Sequence, residues 1–132
     1  MIGGIGVDAC ELARIRRALG GLAGARFRAR VFTAGEQAYC EARGRGRVES
    51  YAARFAAKEA AMKALGTGWG QGVGFLDVEV RRDGDDAPRL FLHGAAARLA
   101  RRRRLGRWHV ALTHTRSTAI AWVLAERNAR RR

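Results

Sequence analysis

Only two of the 26 basic residues in this chain are lysines, and both, Lys58 and Lys63, flank Glu59 in one segment, RFAAKEAAMKALGTG. Everywhere else the chain uses arginine. A lysine ammonium is a compact charge on a flexible stem that shifts its pKa readily and approaches a phosphate as a point charge, which a planar guanidinium does not. At helical spacing Tyr51, Phe55, Met62 and Leu65 form one bulky apolar stripe, with Lys58 inside it and Glu59 and Lys63 along its edge. The purely local alternative is an exposed Glu59–Lys63 pair worth about 0.3–0.5 kcal/mol, with Lys58 snorkelling to solvent.

Two further positions carry chemistry. Asp8 ends the apolar, glycine-punctuated opening IGGIGVD. Alone it reads as a helix N-cap; taken with Glu59 it makes a hard-cation pair, because Mg²⁺ is commonly held by one or two carboxylates plus substrate phosphates. His114 sits in an LTHT turn beside Thr113, Thr115, Arg116 and Ser117. Hydroxyls, an imidazole and a guanidinium on one turn suit a phosphate, although a single histidine in a hairpin is more often structural. His93 and His109 have no such company and are read as structural.

The elements that must position these groups follow from the pattern. The opening strand gives way at Asp8 to helical spacing at Glu11, Leu12, Ile15 and Leu19, stopped by Gly20 and Gly21. Residues 26 to 43 carry Phe27, Val31, Phe32 and Tyr39, with Thr33 and Glu36 at the capping-box spacing for another helix, and RGRGR from Arg43 to Arg47 predicts a basic loop. Alanine-rich sequence from Glu49 to Leu65 predicts a helix ended by Gly66, and a glycine-rich connection follows to Gly74. Alternation at Leu76, Val78 and Val80, a turn at Asp83 to Asp86, and RLFL predict a hairpin. Gly94 to Leu105 reads as a helix capped by Gly106, Trp108 to Leu112 as a strand, and Thr118 to Leu124 as a nearly continuous buried strand. This order predicts an α+β fold with a small, mostly antiparallel sheet packed against helices, in a single domain over 1–132.

Composition bounds the partners. A chain of 132 residues with 48% hydrophobic content can bury a core, but alanine and glycine supply much of it, so extra burial in an oligomer is expected. A formal charge of +14 asks for an acidic partner: nucleic acid, anionic lipid, or an acidic protein with a phosphorylated ligand. Cys10 and Cys40 are expected to be reduced thiols in a cytoplasmic protein, and no apolar run approaches the roughly 20 residues of a membrane span.

GIGVDACEL, FTAGEQAYC, RFAAKEAAMKALGTG and LTHT, in this order over nearly the whole chain, resemble the holo-acyl-carrier-protein synthase family of 4'-phosphopantetheinyl transferases. The resemblance implies that family's fold, a homotrimer with active sites between subunits, and transfer of 4'-phosphopantetheine from coenzyme A to a serine of an apo acyl carrier protein. Asp8 and Glu59 match its Mg²⁺ ligands, and Glu59 also matches a base acting through a metal-bound water. Lys63 matches the pyrophosphate lysine; Arg54 and Lys58 match positions for phosphate binding or site support. The turn residues Thr113, His114 and Thr115 match a coenzyme A contact made across a subunit boundary, and Gly66, Thr67 and Gly68 match the loop lining the cofactor. Arg14 and Arg17 match the basic surface that meets the acidic carrier. Ala111 stands where a small polar residue is expected, and the arginines at 101–104 and 130–132 exceed what the family needs. The rival is a basic nucleic-acid-binding module without catalysis, which explains the charge but not Asp8, Glu59 or the two lysines. Neither a specific nucleic acid nor a membrane is expected as partner.

Overall fold

The computed structural model describes residues 1–67 and 72–130. Strand β1 (Ile2–Glu11) leads into helices α1 (Leu12–Leu19), α2 (Gly24–Val31), α3 (Ala34–Glu41) and the long α4 (Arg47–Leu65). A hairpin, β2 (Val78–Arg81) and β3 (Arg89–Leu92), precedes α5 (Gly94–Arg102), and β4 (Leu105–His114) with β5 (Thr118–Arg127) closes the chain. β1, β5 and β4 form one antiparallel sheet in that order; β2 and β3 form a second. The α+β reading with an antiparallel sheet packed against helices therefore holds.

Small side chains let α4 lie directly on the three-stranded sheet. Ala52, Ala53, Ala56, Ala57, Ala60, Ala61 and Ala64 of α4 are buried, and Ala119, Ala121, Val123 and Ala125 of β5 meet them. The approach is closest at β1, where a β-carbon on Gly4 or Gly6 would collide with the carbonyl oxygens of Ala64 and Ala60. Only glycine permits this backbone contact. The opposite face of the sheet carries Ile5, Val7 and Trp122, at 58%, 42% and 50% exposure, so a strip of large apolar side chains lies uncovered.

Several sequence boundaries move. Asp8 does not end the strand or cap a helix: β1 pairs with β5 as far as Glu11 opposite Thr118, and the Leu12 N–H donates to the Ser117 carbonyl (2.8 Å) as α1 begins. Pairing with a ten-residue partner strand outcompetes the local helical spacing. The helix expected from the Thr33 and Glu36 spacing is α3, whose capping box forms as read: Glu36 N donates to Thr33 Oγ1 (3.1 Å) and Thr33 N to Glu36 Oε1 (2.9 Å). The RGRGR loop is a short 3₁₀ turn, Gly44–Gly46, running straight into α4. Gly106 caps nothing. α5 stops at Arg102, Arg104 takes the left-handed φ of 61°, and Gly106 lies inside β4. β5 is not continuously buried either, since its residues alternate about the sheet and Trp122 faces out. Cys10 and Cys40 are both buried and free.

Candidate active site

At the β1 edge of the sheet, the Gly6 contact holds α4 against the strand so that Glu59 faces Asp8. Their carboxyl groups share a hydrogen bond, and burial followed by the Asp8 neighbour raises the Glu59 pKa to about 7, while Arg14 and Lys63 pull it down. Lys63, one helical turn on, donates to the Val7 carbonyl (2.9 Å) and to Asp8 Oδ1 (3.0 Å). Its side chain is 55% exposed and Asp8's 14%, so the ammonium is open to a ligand arriving over the pair from solvent. Arg14 of α1 stacks over Phe55 with its guanidinium carbon 5.3 Å from the ring centroid, close to this cluster. Arg14 and Arg17 are exposed on the same short helix.

Burial is the larger cause of the upward shift at Glu59, and the hydrogen bond to Asp8 and the charge of that carboxylate add to it. Among the described residues no group of three or more histidine, cysteine, aspartate or glutamate side chains is arranged to hold a metal ion. The pair therefore offers a hard, oxygen-only, incomplete donor set, which fits Mg²⁺ sharing its coordination with phosphate oxygens and water.

Lys58 belongs elsewhere, and its reading as a phosphate ligand is corrected. The side chain is fully buried and makes an ion pair with Glu36 (2.7 Å), itself fully buried, and its Nζ donates to the carbonyls of Phe75 and Val78. Burial lowers the lysine's pKa against the pull of Glu36. Glu36 in turn accepts from the backbone of Thr33 and Val80. All three ammonium protons and both carboxylate oxygens of this pair are committed to joining α3, α4 and β2, so Lys58 supports the site and cannot snorkel to it. The capping-box spacing located Glu36, but nothing local in the sequence signals its partner 22 positions on.

The opposite, β4 edge carries a second cluster. A cavity of about 380 Å³ is lined by Tyr39 of α3, Ser50 and Arg54 of α4, Arg82, and Thr113 and His114 of β4. Arg54 is 3% exposed; its guanidinium stacks 4.1 Å from the Tyr39 ring centroid and donates from Nη1 to Ser50 Oγ (3.0 Å). Its Nε and Nη2 are buried with no acceptor. A buried guanidinium with spare donors is poised for an anion. His114 Nδ1 donates to the Thr115 carbonyl (3.2 Å), which leaves Nε2 open. Arg43 and Arg45 add positive charge to the wall. Sequence reasoning missed Tyr39, Ser50, Arg43, Arg45 and Arg82, since only the fold gathers them.

The remaining expected residues divide. Gly66 ends α4 with a left-handed φ of 77°, and the N–H groups of Gly66 and Thr67 donate back to the carbonyls of Lys63 and Met62, so the loop leaves the helix one turn beyond Lys63. Gly68 lies outside the described residues. Thr115 uses its hydroxyl to accept from the backbone of Ser117 and Thr118, which shapes the turn. Ala111 pairs with Trp122 on the outward face and does not line the cavity.

Asp8, Glu59 and Lys63 are thus brought together; Arg54, Thr113 and His114 are brought together; the two groups are not. β1 and β4 are opposite edges of one sheet, two strand spacings or about 10 Å apart, with α4 lying between the clusters.

The model of the 4'-phosphopantetheinyl transferase superfamily matches residues 4–123. The chain is 52% identical to the holo-[acyl-carrier-protein] synthase of Anaeromyxobacter sp. (strain K) over 128 residues, 96% of this chain and 97% of the relative. Its fold is similar to the crystal structure of holo-[acyl-carrier-protein] synthase from Neisseria meningitidis, with TM-score 0.85, 33% identity and coverage of 96% of this chain and 100% of that one. It is also similar to the Bacillus anthracis holo-(acyl-carrier-protein) synthase solved in complex with CoA (3',5'-ADP), with TM-score 0.78, 36% identity and coverage of 97% and 99%.

Proposed function

The chain belongs to the 4'-phosphopantetheinyl transferase superfamily, in its holo-acyl-carrier-protein synthase family, and from that premise we propose that it transfers 4'-phosphopantetheine from coenzyme A to a serine of apo acyl carrier protein. The other product is adenosine 3',5'-bisphosphate. The whole of 1–132 acts as one transferase domain. The observation that carries the assignment of residues is the separation of two complementary half-sites, carboxylates with a half-exposed lysine on one edge and a buried guanidinium with spare donors on the other.

Asp8 and Glu59 would hold Mg²⁺, which neutralises charge on the pyrophosphate. The serine oxygen attacks the phosphorus that carries pantetheine; the bond from that phosphorus to the bridging oxygen breaks, and the bisphosphate leaves with the electron pair. Glu59, beside Asp8 at the β1 edge, is suited to act as the base for the serine proton. Lys63 moves from Val7 and Asp8 to the leaving phosphate and stabilises the charge that develops there. Arg54 and His114 bind the nucleotide end, with Thr113 alongside, while Gly66 and Thr67 border the cofactor.

With α4 between its two half-sites, the chain is arranged to share them with neighbouring copies. A closed ring of three copies, each presenting its β4 edge to the β1 edge of the next, would complete three sites and cover the apolar strip of Ile5, Val7 and Trp122. The homotrimer reading rests on that complementarity. Arg14 and Arg17 beside the metal pair would receive the acidic carrier, and the charge of +14 makes binding to nucleic acid nonspecific and salt-sensitive. No helix among the described residues is long and apolar enough to cross a membrane; the proposed substrates, coenzyme A and a carrier protein, place the work of the protein in the cytoplasm.

The deciding experiment mixes the protein with coenzyme A, Mg²⁺ and apo carrier protein and follows the carrier's mass. A phosphopantetheine increment that disappears on chelating the metal is expected. No increment with any member of a carrier panel would overturn the assignment, and turnover unaffected by chelation would overturn the metal.

A further inference from the structure

The cavity at the β4 edge contains unsatisfied groups of opposite kind. Arg54 Nε and Nη2 are donors without acceptors, and Glu49 Oε2 is an acceptor without a donor; all three atoms are shielded from solvent. Glu49 lines the same cavity, where Arg43, Arg45 and Arg82 make it otherwise cationic. Glu49 forms no ion pair among the described residues, whereas Glu41, eight positions earlier, is fully engaged by Arg47 and Tyr51. Leaving a buried acceptor unmade is costly. A carboxylate inside an anion pocket also repels the anion, so it weakens binding unless the ligand brings it a donor.

The geometry points to Glu49 as a specificity residue: its free oxygen accepts a hydrogen bond from a hydroxyl or amino group on the nucleotide end of coenzyme A, beside the phosphate that Arg54 binds. This rests on the coenzyme A reading above. Glu49 and Arg54 are five residues apart on α4, a rise of about 7.5 Å, which long side chains close to within the span of one nucleoside phosphate. Adenosine 3',5'-bisphosphate has two donors of this kind, the ribose 2'-hydroxyl and the base 6-amino group. A pocket so equipped accepts a phosphorylated nucleoside and discriminates against a bare phosphate or a polyphosphate chain, which has no donor for Glu49.

The test is calorimetric titration of the parent protein, Glu49→Ala and Glu49→Gln with three ligands: adenosine 3',5'-bisphosphate, its 2'-deoxy analogue, and the analogue with hypoxanthine in place of adenine. The parent should bind the first about tenfold more tightly than one of the two analogues, and which analogue loses identifies the donor. Glu49→Ala should bind that analogue and adenosine 3',5'-bisphosphate equally well. Glu49→Gln, which keeps the shape and one acceptor oxygen, should retain part of the preference and serves as the check on folding. A parent with no preference, or a preference that survives in Glu49→Ala, overturns the inference and leaves the transferase reading standing. A parent that binds none of the three ligands refutes the placement of coenzyme A in this cavity, and the role of Glu49 falls with it.

Discussion

The two edges of the main sheet have been built by opposite means. At β1 the functional groups are two carboxylates and a lysine held at short range by a backbone contact, with the lysine half in solvent. At β4 they are a buried guanidinium aligned by an aromatic ring, with a histidine at the mouth. The first edge lacks positive charge between its acids; the second has donors to spare. On the function proposed above, the first gathers a cation and reacts, and the second grips an anion. A ligand carrying phosphates at two places is the natural bridge, and the contrast teaches that chemistry and affinity are lodged in separable regions of this small chain.

That separation is tested most severely by Glu59→Ala. Transfer should fall by about a thousandfold or more, as loss of a base and metal ligand implies, while nucleotide binding at the β4 edge is nearly unchanged. Circular dichroism and calorimetry with adenosine 3',5'-bisphosphate check the second half; a parent-like rate would remove Glu59 from the mechanism. Arg54→Leu should do the reverse, raising the KM for coenzyme A about 30-fold and leaving kcat within a fewfold. Equal losses in both parameters would mean that Arg54 acts in the transition state and that the division is false.

If the edges meet between subunits, mixing Glu59→Ala with His114→Ala protein, at coenzyme A too dilute for the His114→Ala protein to turn over alone, should restore a modest fraction of parental activity, on the order of a tenth to a quarter, once subunits exchange. Monomer by light scattering together with no recovery would sink the shared site. The smallest expected effect is on stability. Because the folded pKa of Glu59 is about 7 against an ordinary 4.5, its protonated form favours the fold fully below about pH 4.5, and that contribution is lost as pH rises through 7. Mg²⁺ should therefore raise Tm by more at pH 8 than at pH 5.5, and Asp8→Asn should flatten the difference. A Tm shift independent of pH would show that the ion binds elsewhere.

The β1 edge was far more legible in the sequence than the β4 edge. Asp8, Glu59 and Lys63 sit in short segments where residue type is informative by itself, and the capping box at Thr33 and the stop at Gly66 are local events that spacing reports faithfully. The gathering of Tyr39, Ser50, Arg82 and His114 depends on strand order and on where α4 starts, which no local pattern encodes. Lys58 was conspicuous for the right reason, an ammonium on an apolar stripe, but its partner Glu36 lies on another helix and was visible only as a capping residue. Strand boundaries at Asp8 and Gly106 shifted because partner strands, absent from any local window, extend them.

Gly6 sets a dimension of the site without entering it. The separation of Asp8 from Glu59 is fixed by how near α4 can come to β1, and at this position the stop is main chain against main chain. Side chains relax and repack; two backbones in contact do not. The gap between the two carboxylates is thus gauged by the smallest side chain there is, so one added methyl at residue 6 would act as a shim, widening that gap while leaving Asp8 and Glu59 in place.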